Sequence, residues 1–159
     1  LGSGTAGIAG SNNYQTAIGA GAVTTAANQV MIGRAADAAV VPGTLSVTGA
    51  TTLTGNLTSN GAFISVPQAL SGAGAINVTT LITKYTSTAG SEALTLADGV
   101  NGQIKSIIHE VDGGSGILTP TTKTGFTTIT FTNAGDAVEL VFLTTRGWMI
   151  KSIYGAVAA

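Results

Sequence analysis

The stretch Asn12 to Ala36, NNYQTAIGAGAVTTAANQVMIGRAA, states one pattern twice. Thr16-Ala17-Ile18-Gly19 recurs fourteen residues later as Val30-Met31-Ile32-Gly33, and Ala22 then falls on Ala36 in the same register. A solenoid of short strands needs one inward aliphatic residue per rung, then Gly or Asn where the backbone takes positive φ. Asn28-Gln29 leads into the second copy in that way. The competing reading is a Gly/Ala-rich linker, and the Ile repeated at one place speaks against it.

Composition narrows the classes. Only 8% of the 159 residues are charged, against roughly 25% in ordinary soluble domains. The 23 glycines follow no Gly-X-Y period, which excludes collagen. No apolar run reaches the 18 residues of a membrane helix, so the chain reads as soluble, without membrane insertion. A net charge of −1 with six scattered Lys and Arg offers no stripe for phosphate backbones, and nucleic acid is not an expected partner. Cysteine is absent, which removes disulfides, thiolate chemistry and Cys-based zinc sites. The start at Leu1, without Met, reads as an excised or processed product.

Charged and aromatic residues are unevenly placed. Residues 1–83 hold only Arg34 and Asp37 as charges and only Tyr14 and Phe63 as aromatics. Burying Ala and Thr removes little apolar area against an ordering cost of about 1–2 kcal/mol per residue, so this half lacks a core of its own. Within it, Thr44 to Leu57, TLSVTGATTLTGNL, places Leu45, Val47, Leu53 and Leu57 at even spacings, a narrow apolar strip on one side of extended chain. A single chain cannot hide such a strip, whereas three chains around an axis bury all three together.

NNYQTAIGAGAVTTAANQVMIGRAA resembles the fourteen-residue head repeats of trimeric autotransporter adhesins, and VTGATTLTGNL resembles the shaft repeats of phage tail fibres and related virion appendages. The resemblance implies three chains winding a β-roll and then a thin β shaft. Ile18, Ile32, Leu45, Val47, Leu53 and Leu57 would then face the common axis.

Beyond Val66, strand signals recur with Gly, Asn or Asp between them: Ile76 to Thr83, Glu92 to Leu96, Gln103 to Val111, Ile117-Leu118, Thr127 to Thr132, Asp136 to Thr144 and Trp148 to Tyr154. Turns at Asn133 to Asp136 and Thr145 to Gly147 suggest antiparallel hairpins. No amphipathic helix of useful length is visible. The expected fold is all-β: repeats over 1–42, a thin shaft over 43–65, and a small antiparallel, jelly-roll-like β-sandwich head over 66–159, resembling the terminal modules of phage and viral fibres.

Candidate chemistry is sparse. His109, the single histidine, is expected at the surface or a subunit contact, on the opposite strand face from Glu110, and no GxSxG motif offers it a nucleophile. Glu92, Asp98, Glu110, Asp112, Asp136 and Glu139 are the carboxylates from which a glycosidase pair would be drawn, and their places at strand ends and turns fit solvation instead. Glu110 to Gly114 lacks the oxygen spacing of an EF-hand, so no metal and no cofactor is assigned. Asn56 and Asn77 head glycosylation sequons that matter only in a eukaryotic source. Trp148 and Tyr154 share parity with Ile150 and read as core.

The expected protein is not an enzyme. It is a homotrimeric structural fibre on a virion surface or in the extracellular space, partnered by other virion structural proteins. Its head attaches to a host surface glycan or protein, and Asp112, Ser115, Thr121 and Lys123 of the loop Asp112 to Thr124 are the receptor candidates. A head that only caps the trimer, a polysaccharide-cleaving spike and a bacterial surface adhesin are the alternatives.

Overall fold

A computed structural model describes residues 15–25, 29–34 and 36–159. Asn28, and the part of the 1–42 repeat segment before residue 15, lie outside those residues. The chain divides into two compact units, Leu1–Leu57 and Thr58–Ala159. The described residues are all-β, with no helix and with mixed sheets, none of them closed.

In the first unit, β1 (Gln15–Ile18) and β2 (Gln29–Ile32) pair in parallel, with Thr16 beside Val30 and Ile18 beside Ile32. The fourteen-residue sequence period is therefore a pairing period. Each Ile precedes a glycine at positive φ, 117° at Gly19 and 76° at Gly33, where the chain turns out of its strand. The Gly33 amide donates to the Ile18 carbonyl at 2.8 Å, tying the two turns together.

Residues 36–64 are exposed throughout and form no strand. The β structure expected of the shaft over 43–65 is thus not formed within the single chain. Physically, nothing in this segment offers a neighbouring strand, and Thr, Gly and Ser carry too little apolar area to hold an isolated hairpin.

The second unit begins with β3 (Gln68–Ser71), β4 (Gly74–Ile76), β5 (Ile82–Thr86), β6 (Glu92–Leu96), β7 (Ile104–Val111) and β8 (Gly116–Pro120). It closes with β9 (Ile129–Phe131), β10 (Ala137–Leu143), β11 (Gly147–Tyr154) and β12 (Val157–Ala158). One sheet has the order β11-β10-β7-β5-β3 and the other β12-β9-β8-β6-β4. From β3 to β8 the chain alternates between the sheets, so each strand pairs in parallel with the next but one. The remaining pairs are antiparallel.

The antiparallel arrangement expected from the turns is corrected accordingly. Thr145 to Gly147 does close a hairpin, between β10 and β11. Asn133 to Asp136 instead carries the chain from one sheet to the other. The Asp136 carboxylate stabilises that crossing by accepting from the amides of Thr132 and Asn133 at 2.7 and 3.0 Å. Likewise, Ile76 to Thr83 is not one strand. The Asn77 side chain accepts from the Thr80 amide at 3.0 Å, turning the chain between β4 and β5.

Inward side chains of both sheets form one cluster: Ile76, Tyr85, Leu94, Leu96, Ile107, Leu118, Ile129, Phe131, Val138, Leu140, Phe142 and Trp148. Strand parity explains most of it, since Val138, Leu140 and Phe142 alternate inward along β10. The register shifts where β5 meets β7, between Tyr85 and Thr86, and again in β11. There Leu140 pairs with Ile150 but Glu139 with Ser152, leaving Lys151 as an extra residue. This bulge reverses the alternation, so Trp148 is buried while Tyr154 is 77% exposed, against the shared core face expected of them.

Candidate functional site

Burial in the first unit is inverted relative to a globular protein. Its described buried residues are Ala22 and Thr24, while Ile18, Val23, Val30, Ile32, Val40 and Val41 are exposed. On the β1-β2 pair, Ile18, Val30 and Ile32 alternate outward and Ala17 and Met31 are half-buried. Each of the six candidate axis residues is exposed, from 44% at Ile18 to 70% at Leu45. The exposed series continues through Val47, Leu53 and Leu57 without a charged residue between them.

The most polar interior point of the second unit surrounds His109. It is fully buried, which corrects the surface position expected of it. Because it alternates inward on β7, Glu110 points outward and pairs with Lys84 at 2.9 Å. The His109 ring stacks on Tyr85 with centroids 5.0 Å apart, and its Nε2 lies 2.9 Å from the Ser87 hydroxyl. That separation suits a nucleophile and its base. Yet Ser87 is buried, its hydroxyl accepts from the Gly113 amide at 2.8 Å and lies 2.9 Å from the Gly114 carbonyl, and His109 Nδ1 has no partner to orient the ring among the described residues. The pair fastens the turn after β7 onto the chain leaving β5, sealed from solvent. No local motif marks Ser87, because the contact joins residues 22 apart.

Tyr85 also donates to Glu92 at 2.5 Å, and the Thr88 hydroxyl donates to the same carboxylate at 2.6 Å. Those two bonds, Thr88 first, hold Glu92 below the usual carboxylate range. Burial, then the Glu92 contact, pushes the Tyr85 phenol up. The other candidate carboxylates each have a separate local partner: Asp98 takes the Thr122 amide and hydroxyl, Asp112 the Gly114 amide, and Glu139 the Lys151 ammonium. No group of three or more His, Cys, Asp or Glu among the described residues is placed to hold a metal ion.

The receptor candidates are not brought together as one loop. β8 runs between them, so Asp112 and Ser115 lie at its start and Thr121 and Lys123 at its end, about 17 Å apart at ~3.3 Å per residue. Ser115 Oγ accepts from the Ser91 amide, and Lys123 Nζ donates to the Pro120 carbonyl, so both are engaged in holding turns. The segment Asp112 to Gly116, the first part of the expected loop, is clamped. A Cβ on Gly113 would stand 2.4 Å from the Ser87 carbonyl oxygen.

In comparison with known proteins, no family model matches the chain and no curated protein matches it.

Proposed function

We propose that the protein is a structural subunit of a virion or phage fibre, assembled as a homotrimer and carrying its C-terminal unit for attachment to a host surface. The observation that supports this reading is the inverted burial of the first unit. Among its described residues, large aliphatic side chains recur on the outside with Ala22 and Thr24 inside, and few charges are present to solvate the surface. Exposed aliphatic area of that extent calls for a partner, and copies of the same segment supply an identical strip at every level. Ile18, Ile32, Leu45, Val47, Leu53 and Leu57 then pack at a common axis, and residues 43–65 find strand partners in neighbouring chains. The second unit, whose cluster is its own, serves as the terminal module.

Sedimentation equilibrium of the native protein tests this directly. The expected mass is three times that of the 15.6 kDa chain. A monomer leaves the apolar strip without a partner and overturns the reading.

A further inference from the structure

The outer face of β7, β10 and β11 carries an open groove of about 270 Å³. Two register rows cross its three strands. One is Ser106, Glu139 and Ser152; the next is Ile108, Ala137 and Tyr154. Neighbouring strands lie about 4.8 Å apart and same-face residues about 6.7 Å apart, so the polar and apolar rows run side by side across the width of a six-membered ring. The β11 bulge creates this juxtaposition. Were Lys151 paired in regular register instead of bulged out, strand parity would turn Ser152 and Tyr154 to the interior with Trp148.

The groups on the two rows differ in a telling way. The hydroxyls of Ser106, Ser152 and Tyr154 have no protein partner among the described residues. Glu139 Oε1 accepts from Lys151 at 2.6 Å, and its second oxygen is open. Ala137 is small enough to leave depth between Ile108 and the exposed Tyr154 ring. A pyranose ring has the matching make-up: an apolar C–H face that stacks on an aromatic ring and a rim of hydroxyls that donate and accept hydrogen bonds. A second copy of the chain fits less well, because covering this face with apolar side chains would strip water from three unpaired hydroxyls.

We propose that this groove is a saccharide subsite, with a hexopyranose stacked on Tyr154 and its hydroxyls bonded to Ser106, Glu139 and Ser152. It deepens the attachment reading, on which its biological role rests, by naming the ligand class and moving the contact away from Asp112 to Thr124.

The test is an NMR titration of the full chain with methyl α-glucopyranoside, methyl α-galactopyranoside and methyl α-mannopyranoside, with sedimentation run on the same samples. Expected are saturable shifts from at least one glycoside at Ser106, Ile108, Ala137, Ser152 and Tyr154. Tyr154→Ala should weaken binding about tenfold at unchanged mass, and Tyr154→Phe should retain most of it. Glu139→Gln should weaken it through the lost charged acceptor. Absence of shifts with all three glycosides, or shifts centred elsewhere, overturns the subsite. A Tyr154→Ala protein that falls to lower mass also overturns it, since the groove is then an interface between copies. Absent shifts at threefold mass leave the fibre reading standing, whereas groove shifts on a monomer remove the fibre reading and keep the subsite.

Discussion

Lys105 is the residue whose environment departs furthest from its chemistry. It alternates inward on β7, fully buried, and its ammonium donates to the Thr80 carbonyl and hydroxyl at 2.8 and 3.0 Å, with no ion-pair partner among the described residues. Burial lowers its pKa from 10.5 to about 8. The unfolded chain therefore holds more protons than the folded one between those values, and stability rises with pH across that window. Tyr85 acts in the other direction only above its ordinary value of 10.0, so the clean interval is pH 8 to 10. Thermal unfolding across that interval should show a rising Tm in the native protein and a flat one in Lys105→Met; a native Tm that does not rise contradicts the assignment. Glu92 contributes in acid. Its lowered pKa stabilises the fold above the ordinary carboxylate value, and the contribution is lost as pH falls through the folded value. Gly113 shows a steric limit. Gly113→Ala drives a methyl into the Ser87 carbonyl, and a loss of about 1–3 kcal/mol is expected in urea unfolding.

At the scale of elements, alternation was a good guide wherever a strand stays in one register. Glu92 to Leu96 was legible to the residue, and the β10-β11 hairpin followed from its turn. It misled over Ile76 to Thr83, where apolar parity continues across the turn that Asn77 forms. It misled again at Tyr154, because a bulge is a pairing event and leaves no mark in composition. β3 and β12 carry weak signals of their own and are strands because the sheets offer them an edge. The short strand β9 holds its place through Ile129 and Phe131, both fully buried. Phe131→Ala should cost about 3–5 kcal/mol, measured as a lower urea midpoint at unchanged slope.

At the scale of the whole molecule, the two units differ in what stabilises them. The twelve-residue core cluster of Thr58–Ala159 lies wholly within that unit. A fragment of those residues should unfold cooperatively in calorimetry, and a fragment without a transition would show that the cluster is insufficient. The described large aliphatic residues of the first unit face outward, so Ile18→Ser with Ile32→Ser should lower the assembled mass while leaving the transition of the second unit in place. Retention of threefold mass by that double variant would remove Ile18 and Ile32 from the proposed axis.

The sequence by itself determined the all-β character, the fourteen-residue pairing of Ile18 with Ile32, most strand positions and the poverty of the first half in core-forming groups. These follow from local periodicity and composition, which act at short range. Only the tertiary structure decided that β3 to β8 alternate between two sheets, that His109 is sealed against Ser87 and Tyr85, and that Tyr154 stands outside beside Ser106 and Glu139. Each of those depends on which strand lies next to which, a choice made by burial and pairing between residues far apart in the chain.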